Sequence, residues 1–381
     1  MRPFTTTVFA EMSALAARTG AVNLGQGFPD TDGPASLLCG AVDAVLGGRN
    51  QYPPGPGVPE LRTAVAEHQQ RFWDLDVSPE DVLVTTGATE AIAAVVMALT
   101  GPGDEVVVLE PYYDSYAAVI ALAGAQRRTV PLRAPDFRLT EEALRAAFSE
   151  RTRLVLLNTP HNPTGTVLSR AELELVARLA VEHDAVVLCD EVYEHLVFTG
   201  AEHVPLASLP GMAERTLVTS SAGKTFSVTG WKVGWLHGPT ELVAAARAVK
   251  QFLTYVSAGP FQPAVAAALA LPEEVFTGFS ADLERKRDLL SEGLRAAGLA
   301  VNRCDGTYFV TADTTPLGCT DATELAWRMP ELVGVAAIPV QVFCDDPAAA
   351  PTLLRFAFCK RDDVLHAAVE RLAALGPRLA A

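Results

Sequence analysis

Four short strings and one arginine carry side chains suited to chemistry. The first string is Ser221-Ala222-Gly223-Lys224-Thr225-Phe226, followed by Gly230-Trp231-Lys232-Val233-Gly234-Trp235. A lysine among small and apolar neighbours is poorly hydrated, and desolvation beside a second cation depresses an amine's pKa. Such an amine is a nucleophile for a carbonyl carbon. The plainer alternative is a lysine in a glycine-rich anion-binding loop. It is not a P-loop lysine, because G-x-x-x-x-G-K-[ST] needs glycine at the position that Val218 occupies. The second string, Asp190-Glu191-Val192-Tyr193, follows the apolar run Ala185–Cys189. A carboxylate at the tip of such a run is costly to bury without a cationic partner. A protonated ring nitrogen would serve, and the pair would keep that nitrogen protonated. A helix N-cap aspartate is the alternative.

The third string runs from Asn158 through Thr159-Pro160-His161-Asn162-Pro163-Thr164 to Gly165. It either reverses the chain or aims the Asn162 amide into a cleft. The fourth, Thr86-Gly87-Ala88-Thr89-Glu90, opens an apolar stretch. Small residues at a helix start leave backbone N–H groups free for a phosphate, although many strand–helix junctions share this look. Arg355 stands among Leu353, Leu354, Phe356 and Phe358, which disfavours a surface salt bridge.

The elements that must position these groups are legible in outline. Short β-branched or apolar runs occupy Val82–Thr85, Val106–Leu109, Leu154–Leu157, Ala185–Cys189 and Thr216–Ser220. Helical stretches such as Ala91–Leu99 and Ala171–His183 lie between some of them. Continuous apolar strands alternating with helices predict a mostly parallel sheet covered on both faces. Ligands bind such sheets at the carboxyl ends of the strands, where all four strings fall. After about Pro272 the rhythm changes. A long charged helix, Glu273–Ala297, precedes strand regions at Thr307–Ala312 and Leu353–Cys359, as in a smaller α+β domain.

The 381 residues exceed what one core usually organises, so two domains are expected. Hydrophobic residues make up 49% and charged residues 20%, enough for a large core. The formal net charge of -15 argues against non-specific binding to nucleic acid or to anionic membranes. No apolar run approaches the roughly 18 residues needed to span a bilayer, and the first residues do not read as a signal peptide. The six cysteines form no C-x-x-C pair, so they indicate neither a zinc site nor a disulfide framework, and no metal is expected. Inert thiols in a reducing cytoplasm are the expectation.

Together, in this order and spacing, the strings resemble the class I/II aminotransferases of pyridoxal 5'-phosphate (PLP) fold type I, from about Asn23 to Lys360. One departure is Lys232, which stands where many members carry arginine; lysine still supplies a point charge for phosphate. Asn23–Asp30 and Glu110–Tyr116 are similar to the branch of kynurenine, glutamine–phenylpyruvate and methionine aminotransferases. Thr5–Asp30, Asn50–Gly57 and Phe356–Asp362 look nearer still to the actinobacterial N-succinyldiaminopimelate aminotransferases.

That resemblance implies an α/β fold, with a mostly parallel central sheet covered by helices and a smaller α+β domain. It divides the chain into a segment at 1–45 joining the small domain, a large PLP-binding domain at 46–265 and a small C-terminal domain at 266–381. It implies a Schiff base on Lys224, Asp190 on the pyridine nitrogen, and Tyr193 and Asn162 on the phenolic oxygen. Tyr113 would stack on the ring. The backbone at Gly87, Ala88 and Thr89, with Ser221 and Lys232, would hold the phosphate. Tyr52 would reach that phosphate from the partner of a homodimer. Arg355 would clamp the substrate α-carboxylate, with the Gly27 N–H nearby. The implied activity is a ping-pong transamination between an L-amino acid and a 2-oxo acid, 2-oxoglutarate being the expected acceptor. N-Succinyldiaminopimelate, methionine, glutamine and aromatic amino acids are candidate donors. Tyr255–Gln262 is expected in the substrate wall, where Ser257 and Ala258 replace an aromatic and a histidine common in the kynurenine branch. A cysteine-conjugate β-lyase on the same fold and a non-catalytic regulator are the alternatives.

Overall fold

The structure is a computed structural model that describes residues 8–380. Residues 1–7 of the expected N-terminal segment, with the Thr5–Thr7 start of the opening string, lie outside the described residues. The first strand, β1 (Val22–Asn23), pairs far along the chain. Next come β2 (Val82–Thr86), β3 (Glu105–Glu110), β4 (Gln126–Pro131), β5 (Thr152–Asn158), β6 (Val186–Asp190), β7 (Thr216–Ser221) and β8 (Val233–His237). These seven form one sheet in the order β2-β8-β7-β6-β5-β3-β4.

The sheet is buried on both faces, which explains its unbroken apolar runs. Alternate side chains divide between two cores. Val106, Val108, Leu154, Leu156 and Leu188 meet helices Gly87–Leu99, Asp114–Ala123 and Thr240–Lys250. Val107, Leu109, Val155, Leu157 and Val187 face helix Arg170–Glu182 and the C-terminal part of the chain. Each such aliphatic side chain contributes about 1.5–3 kcal/mol on burial. Helix Arg170–Glu182 starts at a capping box: Ser169 Oγ accepts from the Glu172 N–H, and Glu172 accepts from the Ser169 N–H.

Two strands of this sheet went unread in the sequence. β4 is an edge strand whose pattern alternates exposed and half-buried residues, so it lacks the apolar run of its neighbours. β8 lies inside the second half of the lysine string. It runs antiparallel to both β7 and β2, whereas the other neighbouring strands are parallel. The link Ala222–Lys232 is too short for a parallel crossover, so the chain turns back. The link therefore places Lys224 and Lys232 at the same end of the sheet, that of the carboxyl terminus of β7.

The C-terminal part contains β9 (Ala300–Val301), β10 (Phe309–Asp313), β11 (Val335–Ala336), β12 (Ile338–Pro339) and β13 (Leu353–Ala357). Four of these make an antiparallel sheet in the order β12-β13-β10-β9, flanked by the long helix Glu273–Ala296. β11 pairs in parallel with β1 and ties the N-terminal segment to this unit. No single helix among the described residues is long and apolar enough to cross a membrane.

Candidate active site

The carboxyl ends of the parallel strands open into a cleft of about 360 Å³. Every residue assigned to the site from sequence lines it, except Tyr52 and the stretch Tyr255–Gln262. At one end Gly87 starts the helix Gly87–Leu99 with a positive φ of 71°. A Cβ there would lie 3.3 Å from Lys232 Nζ, so the ammonium group rests directly on the turn. A cation over free N–H groups at the start of a 13-residue helix makes an anion cradle. Glu90 accepts from the Thr86 N–H at 2.6 Å and fixes the turn's entry.

Asp190 ends β6 and is buried. Burial pushes its carboxyl up to about 6, opposed by bonds from Tyr116 and the Val192 N–H and by Lys224. Tyr116 Oη donates to Asp190 Oδ2 at 2.6 Å. Asn158 Nδ2 donates to the Asp190 carbonyl, and Asn158 Oδ1 accepts from the Asn162 N–H. Lys224 sits in the short helix Ala222–Thr225 after β7. Burial lowers its amine to about 8, against the pull of Cys359 and Asp190, so a neutral fraction exists near neutral pH.

Arg355 on β13 is buried, and burial lowers its guanidinium to about 10. Its Nη1 donates to Asn162 Oδ1 at 3.0 Å and its Nη2 to the Gly25 carbonyl at 2.9 Å. Its Nε has no partner. Phe309, Phe343 and Phe9 surround it, with Phe309 at 4.0 Å. Among the described residues it forms no ion pair. A buried cation with no ion-pair partner among the described residues is suited to an incoming carboxylate.

Gly27 lines the cleft, and its carbonyl accepts from Tyr308 Oη at 2.6 Å. Glycine is required there, since a Cβ would lie 2.2 Å from Phe309 Cζ. Tyr255–Gln262 does not line this chain's cleft; Tyr255 instead packs against Tyr52, with ring centroids 5.7 Å apart. Sequence reasoning also missed Phe9, Gln26, Phe28, Tyr116 and Phe309 in the lining. Tyr116 had a usable signal, three residues after Tyr113 on one helix face.

Although no metal ligands were legible, the donor atoms of His68, Glu194 and His195 gather within 4.8 Å of one another. The His68 and His195 Nε2 atoms share a 2.8 Å bond, and Glu194 accepts from Trp73 and Ser220. These bonds tie the loop after β6 to helix Pro59–Trp73 and to β7.

The model of the family "Aminotransferase class I and II" matches residues 19–372. The chain belongs to this family. It is 55% identical to a probable N-succinyldiaminopimelate aminotransferase of Mycobacterium tuberculosis over 390 residues, covering 99% of this chain and 98% of the relative. A solved structure of N-succinyldiaminopimelate aminotransferase from Mycobacterium tuberculosis superposes with a TM-score of 0.96, over 98% of each chain. A methionine aminotransferase of Escherichia coli is 41% identical, covering 96% of this chain and 95% of the relative. Rat kynurenine–oxoglutarate transaminase 3 is 39% identical, covering 95% and 87%.

This class I/II aminotransferase is thus a PLP-dependent transaminase of fold type I that acts on amino acids and 2-oxo acids. The relatives lend the lyase and regulator alternatives no support. The residues present also fit PLP: the Gly87–Lys232 cradle suits its phosphate, Asp190 its ring nitrogen and Lys224 its aldehyde.

Proposed function

We propose that Lys224 carries the cofactor and moves the substrate proton, while Arg355 selects α-carboxylates. The observation that carries this reading is the buried guanidinium of Arg355, with no ion-pair partner among the described residues, facing the same cleft as Lys224 and Asp190. When bound, PLP supplies the electron sink for the α-carbon. The protein supplies placement and charge. Arg355 and Asn162 orient the α-carboxylate. Lys224, neutral once released, takes the α-proton and returns it one carbon away. Asp190 stays ionised opposite the ring nitrogen, supported by Tyr116. Tyr193 and Asn162 would hold the ring oxygen, Tyr113 would cover the ring, and Ser221, Lys232 and the backbone at Gly87, Ala88 and Thr89 would hold the phosphate.

In this scheme the lining cations Lys224, Lys232 and Arg355 are all engaged by the cofactor or the α-carboxylate. Phe9, Phe28 and Phe309, with the Gln26 amide, are also part of the wall. That favours donors uncharged near the α-carbon, such as methionine, glutamine, aromatic amino acids or N-succinyldiaminopimelate, over aspartate. A donor panel with 2-oxoglutarate tests this; aspartate as the fastest donor would contradict it.

The working unit in this reading is a homodimer. Tyr52 (81% exposed), Leu46 (81%) and Phe252 (89%) are large apolar groups left uncovered in one chain. Tyr52 then reaches the partner's phosphate. We also propose the division into 1–45, 46–265 and 266–381; the β1–β11 pair supports linking the first segment to the last. The free state of all six cysteines fits a cytoplasmic setting.

A further inference from the structure

Lys224 touches a group that the scheme above leaves without a task. Lys224 Nζ lies 2.8 Å from Tyr308 Oη. The same hydroxyl lies 2.6 Å from the Gly27 carbonyl oxygen. Tyr308 is fully buried, and its ring stands edge-on to Tyr193 at 5.2 Å and to Phe309 at 4.8 Å. It sits behind the amine: Lys224 lines the cleft and Tyr308 does not.

The chemistry of these three groups gives both bonds their direction, with the Tyr193 hydroxyl as a further neighbour of the Tyr308 hydroxyl. A carbonyl oxygen only accepts, and a phenol has one proton, so that proton goes to Gly27. The phenol oxygen is left as an acceptor, and Lys224 must donate to it. Burial holds the phenol protonated, well above its ordinary pKa. The hydroxyl therefore cannot turn round to donate to the amine without abandoning Gly27.

We propose that Tyr308 is a positioning residue for Lys224. By holding one N–H of the released, neutral amine from behind, it turns the nitrogen lone pair forward into the cleft, where the substrate α-carbon lies. This rests on the reading of Lys224 as the cofactor lysine and proton carrier. The same hydroxyl ties the amine to the segment that serves Arg355, because Gly27 follows Gly25, whose carbonyl accepts from Arg355 Nη2. The amine and the carboxylate clamp thus share one hydrogen-bonded frame. Tyr308 is not asked to transfer a proton.

The test compares wild type with Y308F, which keeps the ring and its two edge-on contacts. In cofactor-free protein, the rate of covalent PLP capture is followed by its visible absorbance across pH. The phenol oxygen favours the charged amine, so its loss moves the pH at which the amine becomes reactive downward, by about one unit. In a single half-turnover with α-deuterated donor, Y308F slows proton removal by about 10- to 100-fold, with a larger isotope effect and unchanged donor affinity. A purely structural role through Gly27 would weaken donor binding and leave the isotope effect and the capture pH alone; that result overturns the proposal. 4-Fluorophenylalanine at position 308 refills the hydroxyl's volume with a poor acceptor and is expected to behave as Y308F does; wild-type behaviour from it also overturns the proposal. K224A separates the underlying reading. Capture with the same visible band in K224A sinks the lysine assignment itself, whereas a silent K224A beside an unaltered Y308F sinks only the role of Tyr308.

Discussion

Arg355 shows best how a side chain can be read twice. In sequence it was an arginine among apolar neighbours. In the fold those neighbours explain its burial, while Asn162 and Gly25 hold it without neutralising it. R355K keeps the charge but loses the planar fork. It should raise KM for the amino donor about 10- to 100-fold, since charge-assisted bonds to such a fork are worth about 1.5–3 kcal/mol. Steady-state kinetics with one donor checks this, and an unchanged KM would remove Arg355 from the carboxylate site. Asp190 was equally legible, but its support was not. Tyr116 and Asn158 act on it through bonds that only the packing of helix Asp114–Ala123 and β5 creates. Tyr308 was hidden for the same reason: its hydroxyl meets Lys224 and Gly27 across sequence separations that no local pattern encodes.

At the scale of elements, the parallel strands were visible because burial on both faces demands continuous apolar runs. β4 and β8 were not, one being an edge strand and the other sitting inside a string that reads first as chemistry. The turn at Gly87 was visible as small residues, but its role became specific only when β8 laid Lys232 against it. Gly87→Val would force a β-branched residue to a φ of 71° beside that ammonium. PLP affinity should fall about 10-fold or more, on the order of the 1–3 kcal/mol typical of such strain. Equilibrium dialysis of PLP measures it, and retained affinity would show that the phosphate sits elsewhere. Element starts also hold the sheet's cover in place. Ser169→Ala removes half of the capping box before helix Arg170–Glu182 and should cost about 1 kcal/mol in denaturant unfolding.

For the whole molecule, the buried polar groups set a pH dependence. Burial lowers His68 and His161 to about 3 and His237 to about 4, and holds His195 well below its usual value. Each takes up a proton on unfolding once pH falls below 6.5. Asp190, raised to about 6, and Glu194, raised to about 7, oppose this, because the fold retains protons there that the unfolded chain releases. Glu110 and Asp114, which burial also raises, oppose it further, and the four histidines, all strongly lowered, outweigh them. Cofactor-free protein should therefore lose stability as pH falls from about 6.5 to 4.5, by on the order of 1–2 kcal/mol per pH unit. Melting curves across that range check the sign, and stability that rises on acidification would contradict it. The uncovered groups around Tyr52 make a second whole-molecule claim. Sedimentation should show a dimer, and Y52F should stay dimeric while binding PLP more weakly. The central claim, that the strand ends converge to place Lys224 on the cofactor, has a direct chemical test. PLP-loaded protein is reduced with borohydride and digested, and the pyridoxyl-bearing peptide is sequenced by mass spectrometry. The label is predicted on Lys224; a label on Lys232, Lys250 or any other lysine, with Lys224 unmodified, would contradict the account.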